Sequence, residues 1–203
     1  MTKIIFLDTE TTGLPKDSSK SAIDISDNWP DIVSICWIIY NGRDRERKEV
    51  HIIRPDGFII PHESIKIHGI SQVMAERDGK SLKDVLMSFL YDVRDAHLVI
   101  AHNMEFDRNV LFHSFKWRLG INPIEFWPFE AEFCSMKESI DELCIPSKKK
   151  GAKGYKNPSL MELYINQFSD LFKGAHTADG DVEALIEIVW ARWNLHGVDG
   201  NIL

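Results

Sequence analysis

The hydrophobic pattern opens on a nearly unbroken apolar run, Ile4-Ile5-Phe6-Leu7, as expected of a strand buried on both faces. Strands are predicted over Lys3 to Leu7, Ile32 to Tyr40 and Glu46 to Arg54, with Asn41-Gly42 turning the last two into a hairpin. The period then changes. Leu82, Val85, Leu86, Phe89, Leu90 and Val93 recur at helical spacing behind the cap Ser81, with Asp84 three residues on. A short strand, Leu98 to Ala101, leads into a segment of helix-forming composition from Met104 to Leu119, with Asn103 as its N-cap. Ser135 with Glu138 and Ser159 with Glu162 mark two further helix starts. In the last helix Val182, Leu185, Ile186, Val189 and Trp193 give one apolar face, and Gly197 ends it. The polar stretch from Pro15 to Asn28 reads as a long loop, and no internal repeat is present. Strands first and alternating helices afterwards predict an α/β fold, a mixed sheet flanked by helices.

Composition narrows this picture. With 203 residues and 44% hydrophobic content, the chain can bury a substantial core without disulfides, and a single domain over residues 1–203 is expected. Cys36, Cys134 and Cys144 are an odd number at spacings that fit no zinc pattern, so free thiols in a reducing compartment are expected. No apolar stretch is long enough to span a bilayer, and Met1-Thr2-Lys3 leads straight into a strand, so the expectation is a soluble, cytoplasmic protein with no membrane partner. A net charge of −7 argues against a nucleic-acid partner only if it is averaged over the surface. Positive charge gathers at Lys148, Lys149, Lys150, Lys153 and Lys156, a mobile loop by composition that reads either as solvated surface or as a phosphate contact. The chain carries no sequence signal for an oligomeric state.

Candidate chemistry begins where the first apolar run ends, at Asp8-Thr9-Glu10-Thr11-Thr12-Gly13. Strand side chains alternate faces, so Asp8 and Glu10 point to one side. Two converging carboxylates repel and lose solvation, which is costly unless cations lie between them. The pair therefore reads as half of a divalent metal site, against the simpler reading of a turn-forming Asp8 and an exposed Glu10. His102-Asn103-Met104-Glu105-Phe106-Asp107 follows the Leu98 run, and His176 precedes Asp181 by five positions at the last helix start. Each of these acids alone would be explained by the helix macrodipole, without a metal. His62-Glu63 and His68 superficially suggest a zinc protease, but histidines six apart do not stack on one helix face. Trp117, Trp127, Trp190 and Trp193 read as core aromatics.

Taken together, these segments resemble the DEDD-type 3′-to-5′ exonucleases, in the branch with a histidine in the last motif. Phe6 to Gly13 is similar to the first motif, His102 to Asp107 to the second, and His176 to Asp181 to the third. The segment Ile60-Pro61-His62-Glu63 to Ile67-His68-Gly69-Ile70 resembles the proofreading exonucleases of bacterial replicative polymerases, the epsilon subunits of DNA polymerase III. The resemblance implies a ribonuclease-H-like exonuclease fold with a mixed five-stranded sheet. It implies that Asp8, Glu10, Asp107 and Asp181 hold two divalent metal ions, with oxygen-only ligands favouring Mg2+ or Mn2+, and that His176 takes the proton of the attacking water. It further implies substrate contacts from Thr9, Thr11, Gly13, Leu14, His68, His102, Asn103 and Phe106, with Leu14 and Phe106 against the last base. The expected partner is a DNA 3′ end, most simply single-stranded, released as nucleoside 5′-monophosphates. Trimming of RNA 3′ ends by the same residues, or a non-catalytic nucleic-acid-binding module of the same fold, are the alternatives. The sequence stops at Leu203, shortly after the last predicted helix, so no polymerase tether is evident, and a stand-alone exonuclease, or one recruited by some other surface, is expected.

Overall fold

The structure, a computed structural model, describes residues 2–148 and 154–193. Its centre is a mixed five-stranded sheet in the order β3-β2-β1-β4-β5. β1 (Lys3–Thr11), β2 (Ile32–Asn41) and β3 (Asp44–Ile52) form an antiparallel meander. β4 (Leu98–Ala101) runs parallel to β1 on its other side, and β5 (Glu132–Cys134) parallel to β4. β1 therefore lies in the middle of the sheet, paired on both sides, which is why its sequence is apolar on both faces.

The alternation along β1 divides the core in two. Ile5 and Leu7, with Ile35, Trp37, Ile39 and Val99, pack against α3 (Leu82–Val93) and α4 (Met104–His113). Ile4 and Phe6, with Cys36, Ile38 and Ile100, pack against Val182, Leu185, Ile186 and Val189 of α8 (Ala178–Arg192). Each face of the sheet is thus covered by amphipathic helices whose apolar positions were spaced for it. Two shorter helices, α1 (His62–His68) and α2 (Gln72–Asp78), cover a satellite cluster of Val33, Ile60 and Ala75. Past β5 come α5 (Ser135–Glu138), α6 (Ile140–Leu143) and α7 (Leu160–Phe168), the last packed on α8.

Several expected boundaries shift, each for a local reason. β1 runs on to Thr11 rather than stopping at Leu7, because its pairing with β2 persists to Thr11 opposite Ile32. β3 starts at Asp44 and ends at Ile52, since Asn41 pairs with Asp44 across a two-residue turn. The helix expected to reach Leu119 is α-helical only to His113 and widens into a π-helical turn over Ser114–Arg118. Ser159 and Glu162 form the full capping box of α7. Ser135 caps nothing: its hydroxyl is bonded to the His102 ring, and α5 is a single turn. α1, α2 and β5 are too short for a hydrophobic period to register in the sequence. Trp127 is buried as expected, whereas Trp117 is 40% exposed, its indole N–H donating to the Ala22 carbonyl. Gly197 lies outside the described residues. Pro15 to Asn28 is a loop without helix or strand, as expected.

One polar contact crosses the core on the α3 side. The buried Asp92 carboxylate of α3 accepts from the Trp37 indole N–H at 2.9 Å and from the Arg47 guanidinium at the sheet edge. Removing it strands a buried N–H while Arg47, half exposed, can turn to water. Asp92→Ala is therefore expected to lower unfolding free energy by about 2 kcal/mol. Urea denaturation followed by tryptophan fluorescence checks this, and a loss below about 0.5 kcal/mol, ordinary for a surface position, would contradict it.

Candidate active site

Asp8 and Glu10 extend the series Ile4, Phe6 and so emerge on the α8 face of the sheet. They lie within the strand, not beyond it, which fixes their backbones by ladder hydrogen bonds on the β2 side. α8 begins opposite them: Thr177 is its N-cap, the side chain accepting from the Gly180 N–H, and Asp181 falls in the first turn. Ion pairs from Arg45 and Lys48 on β3 to Glu183, and from Lys48 to Asp179, tie this end of α8 to the sheet edge. The outcome is a cluster in which one carboxylate oxygen each from Asp8, Glu10 and Asp181 lie within 4.8 Å of one another, all three half-buried.

Asp107 arrives from the other face. It sits in the first turn of α4, is fully buried, and its Oδ1 accepts from the Thr9 backbone N–H at 3.0 Å and the Thr9 hydroxyl at 2.7 Å. β4 pairs with β1 only as far as Phe6, so the amide of Thr9 has no strand beside it and the carboxylate takes that place. Thr9, expected as a substrate contact, is buried and gives both its amide and its hydroxyl to Asp107.

The electrostatics record how uncomfortable four acids are at one strand end. Burial, then Asp107, Asp181 and Glu10, push the Asp8 carboxyl well above the usual carboxylate range. Glu10 is raised to about 8 by burial and then by Asp181 and Asp107. Burial raises Asp107 to about 7 against the pull of the Thr9 hydrogen bonds, and Asp181 to about 6 against the His176 amide and charge. No cation among the described side chains pairs with Asp8, Glu10 or Asp181. An all-oxygen set of carboxylates with no ion-paired Lys or Arg among the described residues fits a hard divalent cation, and Asp8, Glu10 and Asp181 could hold one.

His176 is exposed, on the loop just before α8, with a left-handed backbone at φ 64° and its amide donating to both Asp181 oxygens at 3.2 and 3.3 Å. The turn after β1 is fixed by the Thr11 hydroxyl, which donates to the Gly13 carbonyl at 2.7 Å, and Gly13 itself adopts φ 146°. Leu14 is then thrown out to 82% exposure. Leu14, Trp29, Asn103 and Phe106 line one cavity of about 700 Å³. Asn103 stands at the N-cap of α4, but in left-handed conformation and without the side-chain cap bond expected of it. His68 is buried; its Nδ1 accepts from the Ile70 amide, leaving Nε2–H without a bonded partner and facing the Thr11 carbonyl. Burial lowers its pKa, with Thr11 pulling the other way. His102 differs from expectation. Its Nδ1 meets the Ser135 hydroxyl at 2.9 Å and its Nε2 the Pro158 carbonyl at 3.0 Å, and burial lowers it to about 4. Neither ring nitrogen is left for a substrate, and the ring instead ties the end of β4 to the segments after β5 and before α7. Of the lysine run, Lys156 is bonded to both oxygens of Glu162 on α7, while Lys149, Lys150 and Lys153 lie outside the described residues.

A mixed five-stranded sheet carrying clustered acids on its central strand is the ribonuclease-H-like exonuclease class of fold. The chain belongs to the RNase_T exonuclease family, whose model matches residues 5–189, and whose members hydrolyse phosphodiester bonds. Among solved structures, exonuclease I of E. coli in complex with a dT13 oligonucleotide superposes with a TM-score of 0.70 at 16% identity, over 97% of this chain and 43% of that one. The zinc-bound form of the E. coli ExoI-ssDNA complex gives 0.70 at 19% identity, over 96% and 42%. Exonuclease I of Methylocaldum szegediense gives 0.69 at 17% identity, over 96% and 42%. The likeness shows the fold, and the chain spans less than half the length of those exonuclease I chains. No curated protein sequence matches it. Among the described residues no helix is long and apolar enough to cross a membrane.

The raised acids fix a pH dependence for the metal-free protein. Unfolded carboxylates titrate near about 4, so between there and the folded values the native state binds more protons than the unfolded one, and stability falls as pH rises. The decline runs through about 6, 7 and 8 as Asp181, Asp107 and Glu10 ionise in turn. In EDTA the melting temperature is expected to drop from pH 5.5 to 8.5, and the rise on adding Mg2+ to be larger at the higher pH. A Mg2+ effect independent of pH would contradict the cluster as a cation site.

Proposed function

We propose that the chain is a metal-dependent 3′-to-5′ exonuclease that hydrolyses the terminal phosphodiester of DNA, single strands foremost, releasing nucleoside 5′-monophosphates. The observation that carries this is the convergence of Asp8, Glu10 and Asp181 around one point, with Asp107 held beside them by Thr9. A non-catalytic binding module would have no use for that arrangement, which destabilises the metal-free fold. Family membership over residues 5–189 supports a nuclease, and the single-stranded oligonucleotides in complex with the structurally similar exonuclease I favour DNA over RNA. The epsilon-like reading rests on the Ile60 to Ile70 segment, whose His68 faces the Thr11 carbonyl of the turn after β1. We take residues 1–203 as one nuclease domain, working in the cytoplasm, where the free Cys36, Cys134 and Cys144 stay reduced.

Two divalent cations, Mg2+ or Mn2+, when held by Asp8, Glu10, Asp107 and Asp181, would polarise the scissile phosphate and lower the pKa of a bound water. The chain's own residues do the rest. His176, exposed at the rim and anchored through its amide to Asp181, takes the proton from the attacking water. Leu14 and Phe106, facing one cavity, hold the terminal base, and Asn103 lines the same wall. By the family resemblance the turn from Thr11 to Leu14 would cap the terminal nucleotide, so that a free 3′-hydroxyl fits and a continuing strand does not.

Asp8→Ala or Asp181→Ala is expected nearly to abolish cleavage of an end-labelled oligonucleotide without loss of fold, since removing one carboxylate relieves repulsion. His176→Ala is expected to lower kcat by on the order of a hundredfold or more while magnesium binding persists. Wild-type activity in Asp8→Ala would sink the metal-site assignment, and loss of magnesium binding in His176→Ala would make the histidine a ligand. The closed end of the site predicts that a 3′-phosphate blocks digestion and a 5′-block does not. Cleavage of circular single-stranded DNA would overturn the polarity. Parallel digestion of single-stranded DNA, duplex DNA and RNA tests the substrate.

A further inference from the structure

The backbone around His176 is unusual for its residue types. Gly174 and His176 are both left-handed, at φ 80° and 64°. A non-glycine residue keeps such a conformation only where its surroundings over-determine it. Those surroundings are a turn laid on the first turn of α8. The Gly174 carbonyl accepts from the Thr177 amide at 3.1 Å and from the Thr177 hydroxyl at 2.7 Å, and that hydroxyl accepts in turn from the Gly180 amide at 3.2 Å.

Gly180 is where the turn and the helix touch. A β-carbon there would lie 2.2 Å from the Gly174 carbonyl oxygen, 2.7 Å from its carbon and 2.8 Å from the Thr177 hydroxyl oxygen, distances no real contact has. Capping the helix does not demand a glycine, because the N–H that bonds Thr177 is supplied by any residue but proline. Helix propensity disfavours one. The demand comes only from the close seat of the Gly174–Thr177 turn. His176 lies inside that turn, and its amide is held from the other side by Asp181.

We infer that Gly180 and Thr177 are positioning residues for His176: the turn seated on Gly180 and tied by the Thr177 hydroxyl sets where the imidazole stands relative to the acid cluster. This rests on the reading of His176 as the general base. An alanine at position 180 must lift the turn from the helix, and displacement of a catalytic group by about 1 Å can cost a hundredfold in rate.

The test compares Gly180→Ala, Thr177→Val and Thr177→Ser in steady-state cleavage of single-stranded DNA, with magnesium calorimetry and hydrogen exchange of the His176 amide in metal-free protein. Gly180→Ala is expected to lower kcat about a hundredfold with KM and magnesium affinity within about threefold of wild type, and to speed exchange of the His176 amide. Thr177→Val should lower kcat about tenfold or more and Thr177→Ser restore it, which decides the matter if Gly180→Ala does not fold. Wild-type kcat with unchanged exchange in Gly180→Ala, or in Thr177→Val, would overturn the inference. If His176→Ala itself left kcat unchanged, the base assignment would fall, while faster exchange in Gly180→Ala would still show that the turn is seated there.

Discussion

The site depends on the alternation of side chains along one doubly paired strand. β1 is held on one side by β2 through Thr11 and on the other by β4 as far as Phe6, so its pleat cannot slip. That rigidity sends Ile4 and Phe6 into the α8 core and, two and four residues later, presents Asp8 and Glu10 to the first turn of the same helix. A one-residue slip would bury both acids against α3 and α4. Apolar packing and acid convergence are therefore one constraint, and the energy that seats Val182, Leu185 and Val189 also holds Asp181 against its repelling neighbours.

The fourth acid shows how a fold brings opposite faces to one point. Asp107 belongs to α4, on the far side of the sheet, yet it reaches the cluster because β4 ends early and leaves the Thr9 amide open. The two Thr9 bonds work against the burial that raises Asp107, so this acid is steadied by the protein while Asp8 and Glu10 are not. The resulting surplus of negative charge is a cost to the metal-free fold and a fit for cations.

The histidines divide by environment. His102, in the second motif, is buried with both ring nitrogens engaged and serves as a clasp between strand end and helix start. His176, exposed, has its main chain fixed and its ring at the surface. The same residue type thus supplies architecture in one motif and a mobile proton carrier in the proposed chemistry of another, and burial is what separates the two.

The sequence by itself determined the strands β1, β2 and β4, the helices α3 and α8, the capping box of α7 and the identities of the four acids, because periodicity and caps are local and the motifs are contiguous. It also determined that Asp8 and Glu10 share a face, since a strand has only two. Three things were decided by tertiary structure alone: that Asp107 crosses from α4 to Thr9, that His102 is consumed by Ser135 and Pro158, and that Lys156 is consumed by Glu162. Each is a contact whose partner stands elsewhere in the chain, chosen by where strands end and which faces meet. The need for glycine at position 180 is of the same kind, for it arises from a turn folded back onto the helix that follows it, and no local pattern of residues records how closely two backbones will lie.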